Sequence, residues 1–234
     1  MDSEFWHQRW QRKEIGFHKE DPNIYLTEHW HTLNIPNNSL VFVPLCGKSQ
    51  DMLWLVAQRH KVLGVELSEI AVREFFEGAK IHPKITKNGE LVQYDSPNIT
   101  IYSGDLFTLK ADHFKQVQAV YDRGALVALP EKMRQAYIAH LRNNLPQAIN
   151  GLLVTMEYNQ NLTPGPPFSL APTEIQKLFE GFDDVSDIAT DDIEFRGNTV
   201  RMRIWKYSRY YPTAAQFTEK KSQYRNIIHT SGTP

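Results

Sequence analysis

Residues 40–69, LVFVPLCGKSQDMLWLVAQRHKVLGVELSE, constrain the fold of this chain more than any other stretch. The apolar run over residues 40–45 predicts a first buried strand. A turn through Cys46 and Gly47 follows, with Ser49 placed to cap a helix carrying Met52, Leu53, Leu55 and Val56 on its buried side. Residues 61–67 read as a second buried strand, with Glu66 near its C-terminal end. A βαβ unit with a glycine in its first turn and an acid about 20 residues further on can hold a nucleotide's ribose. The glycine lets backbone approach the ligand, and the carboxylate accepts hydrogen bonds from two ribose hydroxyls.

The glycine pattern is incomplete. Leu45, Gly47 and Ser49 stand where a dinucleotide loop usually has three glycines. A pyrophosphate needs close backbone approach at more than one point, so these residues count against NAD or FAD. S-adenosylmethionine carries no phosphate and tolerates a looser loop. A βαβ unit whose turn binds nothing stays open on this stretch alone.

The 234 residues predict one large domain, 1–234. A hydrophobic content of 41% and an aromatic content of 12% suffice for a substantial core. A formal charge of −1 gives no electrostatic footprint for nucleic acid or for an anionic membrane. The single cysteine, Cys46, excludes an intrachain disulfide. The charged start MDSEFWHQRWQRKE is no signal-peptide segment, and no window reaches the ~18 consecutive apolar residues of a membrane span. The expectation is a soluble, cytoplasmic monomer.

Residues 1–35 predict an amphipathic, aromatic-rich helical region with Phe5, Trp6, Trp10, Phe17, Tyr25 and Trp30. It either stacks on the core or folds across the mouth of the sheet as a lid, a role for which indole rings are suited. Ser68 is placed to cap a helix bearing Ile70, Val72, Phe75 and Phe76, and Asn88-Gly89 signals a hairpin. Further strands are expected over 99–103, 117–121 and 152–157, and a helix over 131–144. TPGPPF, 163–168, is a stiff loop, and Thr173 with Gln176 predicts a capping box opening the next helix. Strands over 192–195 and 200–207 flank a turn through residues 196–199, and a polar tail covers 212–234. Alternating strands and helices predict an α/β domain with a mostly parallel sheet and a C-terminal antiparallel hairpin. Such sheets bind ligands outside the C-terminal strand ends, at the switch point of strand order. Each strand here ends in polar or permissive residues: Cys46-Gly47, Glu66, Gly104-Asp105, Asp122-Arg123 and Glu157-Tyr158-Asn159.

FVPLCGKSQDM, GVELSE, YDRGALVAL and TPGPPF, with the FWHQRWQ start, resemble the thiopurine S-methyltransferases over nearly the whole chain. The resemblance implies a class I methyltransferase (Rossmann-like) fold, S-adenosylmethionine as donor and S-adenosylhomocysteine as product. It implies methyl transfer to aromatic or heterocyclic thiols such as 6-mercaptopurine, and for bacterial members a link to tellurite and selenium handling. By matching position, Leu45 contacts the donor's methionine part, Glu66 holds the ribose, and Asp105 and Leu106 border the adenine. Trp10 packs over the donor and Arg123 lies at the reacting end. Phe17 and Arg196 are the residues matched toward the acceptor.

Transfer from a sulfonium to a thiolate is an in-line displacement, needing positioning and a desolvated pocket but no metal and no covalent enzyme intermediate. Arg123 is expected to favour the thiolate or to bind a ring nitrogen, the alternative being an ion pair with Asp122 or a neighbour. Cys46 lacks a histidine base and reads as a packing residue. His29 and His31 lack a third ligand for a metal. Three other readings share parts of the pattern: a related methyltransferase acting on halide, inorganic thiol or metalloid acceptors, a nucleotide-dependent oxidoreductase, and a non-catalytic donor-binding regulator.

Overall fold

The computed structural model describes residues 3–209. The polar tail expected over 212–234 therefore lies outside the described residues.

Among the described residues nine strands form one sheet in the order β3-β4-β5-β2-β1-β6-β7-β9-β8. The centre is parallel: β5 (Ile99–Ser103), β2 (Lys61–Glu66), β1 (Leu40–Pro44), β6 (Val117–Asp122) and β7 (Ile149–Glu157). At one edge the hairpin β3 (Lys84–Asn88) and β4 (Leu91–Asp95) adds antiparallel to β5. At the other, β8 (Asp184–Phe195) and β9 (Asn198–Arg209) add antiparallel to β7.

Successive residues of the central strands point to opposite faces, and both faces are covered, so the middles of these strands are mostly apolar. Val41 and Val43 join one core with Leu26, Trp30, Met52, Val72 and Phe75, while Phe42 joins the other with Tyr137, Leu141 and Trp205. The first face carries α2 (Ile24–His29), α3 (Asp51–Ala57) and α4 (Glu69–Gly78). The second carries α6 (Ala125–Ala128), α7 (Glu131–Asn144) and α8 (Pro172–Leu178). α1 (Ser3–Gln11) precedes these, and α5 (Ala111–Phe114) links β5 to β6.

The region expected as one helical lid divides in two. Tyr25, Leu26, Trp30 and Leu33 are buried against the sheet, so residues 24–33 belong to the core. Only α1 and the loop after it are left to cover the strand ends. Several caps also differ from expectation. Ser68 is the N-cap of α4, yet its hydroxyl makes no capping bond, and Ile70 is exposed while Ala71 takes the buried position. Thr173 lies inside α8, because Pro172 with its preset φ starts the helix two residues earlier, with Ala171 as N-cap. Ser49 does accept from the Asp51 backbone N–H at 3.2 Å, although Gln50 is the N-cap.

Candidate active site

The order of strands reverses between β1 and β6, the neighbours at the sheet's centre. The turn after β1 and the segment after β6 therefore flank one crevice at the C-terminal strand ends. Leu45 leaves β1 at φ +44°, which turns the chain sharply toward Gly47 at φ +53°. A Cβ at Gly47 would stand 3.3 Å from the Trp10 ring, so the glycine both permits the turn and leaves room beneath the indole.

Glu66 ends β2 facing this turn. It is 6% exposed, and its carboxylate accepts from the Gly47 N–H at 2.9 Å and the Ser68 N–H at 2.8 Å. Burial raises its pKa against the pull of these donors. Each oxygen keeps a further lone pair, so the group can hold backbone and still accept from two ribose hydroxyls. The β5 end is tied in by the Gly104 N–H on the Glu66 carbonyl at 2.9 Å. Next along, Asp105 is exposed and caps a short 3-10 turn through the Phe107 N–H, and Leu106 is buried beneath it. An exposed acid beside a buried leucine suits a base edge over an apolar floor.

Trp10 is 3% exposed and meets Phe17 edge to face, with centroids 5.6 Å apart; Trp6 meets Phe17 at 5.8 Å. Phe17 itself is 40% exposed. These rings roof the Gly47 turn. Cys46 points away from the crevice, its sulfur packed where a Cβ on Gly64 would lie at 2.9 Å. Burial, then the nearby Glu66 charge, pushes its thiol well up, which suits packing rather than attack.

Arg123 stands at the end of β6 with no hydrogen bond and no ion pair among the described residues. The Asp122 alternative does not form. Asp122 turns the other way, its Oδ1 accepting from the Ala125 and Leu126 N–H groups and its Oδ2 from the Tyr137 hydroxyl at 2.7 Å. Arg123 acts electrostatically on Tyr121 and on His18. Arg196 lies beyond the C-terminal end of β7, whose Glu157 pairs in register with Arg201 of β9. It occupies the β8–β9 turn, exposed, with its guanidinium 3.4 Å from the Pro164 carbonyl and over the Phe195 ring. Glu157, at the end of β7, is paired with Arg203 rather than open to the crevice.

Sequence reasoning missed the Asp51 bracket and His18. Asp51 is 2% exposed and receives the Asn23 N–H at 2.6 Å and the Tyr121 hydroxyl at 2.9 Å, which pins the N-terminal segment to the crevice. Its partners are 28 and 70 residues away, so no local pattern announces them. His18 follows Phe17 directly, and that adjacency was the available signal. Among the described residues no group of acids, histidines and cysteine can hold a metal, and no helix is long and apolar enough to cross a membrane.

A glycine turn under an indole, an acid receiving that turn and a cation across the switch point fit the site of an S-adenosylmethionine-dependent methyltransferase. Solved structures share the fold. A magnesium protoporphyrin IX methyltransferase from Synechocystis PCC 6803 with bound S-adenosylhomocysteine gives a TM-score of 0.54 at 17% identity, over 89% of this chain and all of that one. The 1,6-didemethyltoxoflavin-N1-methyltransferase of Burkholderia thailandensis gives 0.61 at 12% identity, over 89% of this chain and 87% of that one. The thiopurine S-methyltransferase family model matches residues 1–209, and this chain belongs to that family. A relative of that name from Pseudomonas fluorescens (strain Pf0-1) is 47% identical over 76% of this chain and 82% of its own length. One from Shewanella sp. (strain ANA-3) is 44% identical over 83% and 92%.

Proposed function

We propose that the chain methylates the sulfur of aromatic and heterocyclic thiols, thiopurines such as 6-mercaptopurine among them, by direct transfer to the thiolate. The observation that carries this reading is Arg123, a guanidinium without a partner among the described residues, placed just after β6 at the switch point and close enough to act on His18 in the loop over the Gly47 turn. The names of the relatives support the same acceptor class.

When bound, S-adenosylmethionine supplies an electrophilic methyl group on a sulfonium sulfur. Glu66 holds the ribose hydroxyls, Leu45 lends backbone to the methionine part, and Asp105 and Leu106 border the adenine. Trp10 and Phe17 exclude water above the turn, which strengthens every charge interaction beneath them. Arg123 lowers the acceptor's pKa, by about 1–3 units for an opposite charge at close range, and so raises the thiolate fraction. Arg196 steadies the loop around Pro164, on the acceptor side.

The test is incubation of the protein with labelled donor and a panel of thiopurines, thiophenols, selenols, halides and metalloid oxyanions. Heterocyclic thiols should be the best acceptors. Arg123→Met should slow them and move the acidic limb of the pH–rate profile upward, and Arg123→Lys should recover only part. Turnover confined to selenols, halides or oxyanions would overturn the thiol reading.

A further inference from the structure

We propose that His18 is the base that takes the acceptor's thiol proton. The proposal rests on the thiol reading above and adds a residue to it. Three observations place the ring at the reaction site. Trp10 lies over Gly47, and Phe17 lies against Trp10, so the loop carrying His18 folds over the donor turn. The His18 backbone N–H is fixed to the Ile15 carbonyl at 2.8 Å. The His18 side chain is 10% exposed, although both residues after it are exposed, so the loop turns this ring inward.

The groups facing the ring come from three elements. Glu20, on its own loop, places Oε1 3.3 Å from Nε2. Lys48, in the turn after β1, and Arg123, after β6, face it as cations. Lys48 is itself paired with Glu74 of α4 at 2.8 Å. A carboxylate at Nε2 fixes the tautomer with the proton there and leaves the Nδ1 lone pair to accept. Burial, with Lys48 and Arg123 adding to it against Glu20, lowers the His18 pKa below its usual value. The ring is therefore neutral near pH 7, the form a base needs.

The buried acids around the crevice are committed. Glu66 holds Gly47 and Ser68, Asp51 holds Asn23 and Tyr121, and Asp122 holds α6 and Tyr137. In the step itself, the acceptor's S–H proton moves to Nδ1 and leaves an imidazolium. The freed sulfur pair forms the new S–CH3 bond as the donor's S–CH3 bond breaks, its electron pair passing to the departing sulfur. The proton then leaves to water past exposed Glu20.

The experiment compares two acceptors: an aromatic thiol fully ionised at the assay pH, and a thiol largely un-ionised there. His18→Gln should slow the un-ionised acceptor by about 10²-fold or more, the scale of a lost general base, and leave the ionised one within a few-fold. Affinity for S-adenosylhomocysteine, by calorimetry, should not change, which also shows that the variant is folded. Glu20→Gln removes the group that raises the ring's pKa, so the acidic limb for the un-ionised thiol should move to lower pH. Equal slowing of both acceptors, no slowing, or an unmoved limb in Glu20→Gln would overturn the proposal and leave thiol methylation standing. A wild-type protein that binds donor but methylates no thiol would overturn both.

Discussion

Asp122 shows how a carboxylate at the strand ends can serve the fold: it holds the N–H groups of α6 and the Tyr137 hydroxyl. It is 3% exposed, and burial pushes it up to about 6 from 3.8 despite the Tyr137 hydroxyl and the N–H groups of α6. Its folded pKa is raised, so the folded state holds the proton more tightly than the unfolded chain between these values. The associated stability is present in full below about pH 4 and is lost as pH rises through about 6. Asp122→Asn keeps an acceptor for the Ala125 and Leu126 N–H groups and cannot titrate. The stability of wild type relative to Asp122→Asn, measured by urea unfolding, should fall by about 3 kcal/mol from pH 4 to pH 7, at about 1.4 kcal/mol per unit. A difference that stays flat or rises with pH would contradict this placement. Residue types at strand ends were legible in the sequence; their directions were not. Asp122 and Arg123 are adjacent, yet Asp122 is tied to the N–H groups of α6 while Arg123 makes no hydrogen bond or ion pair among the described residues.

Elements with both faces buried were the easiest to read. β5 and α7 occupy the expected residues because their apolar spacing has one interpretation. The edges misled. β8 begins at Asp184 rather than 192, since DVSDIATDD alternates weakly on a solvated edge strand. β7 begins at Ile149, since Asn150-Gly151 reads as a turn although Gly151 lies beneath the Tyr207 ring within the sheet. The first hairpin turns at Gly89-Glu90, one residue later than Asn88-Gly89. The roof formed by α1 carries a prediction of its own. Trp10 is 3% exposed, so donor binding should alter its signal through contact with the ring rather than through removal from water. Trp30 donates to His60 and Trp205 to Thr155, both in the core, and should stay constant. Tryptophan fluorescence should therefore change on titration with S-adenosylhomocysteine, and Trp10→Phe should lose most of that change. An undiminished signal in Trp10→Phe would move the roof to Trp6.

At the scale of the whole molecule, the strand order brings the β1 turn, the end of β2 and the end of β6 to one crevice. The βαβ unit alone foretold two of these. The third depended on β6 pairing with β1, a contact between segments more than 70 residues apart that the resemblance implied and the local pattern could not. Donor binding by this arrangement is the centre of the account, and Glu66 is its most exposed commitment. Glu66→Ala removes the carboxylate proposed to accept from two ribose hydroxyls and also frees the Gly47 and Ser68 N–H groups. Calorimetric titration of S-adenosylhomocysteine into wild type and Glu66→Ala is the most direct test. The variant should bind about 30- to 1,000-fold more weakly, which corresponds to roughly 2–4 kcal/mol for hydrogen bonds to a charged acceptor partly replaced by water. Equal affinity in a folded Glu66→Ala protein would place the donor elsewhere and contradict the site described.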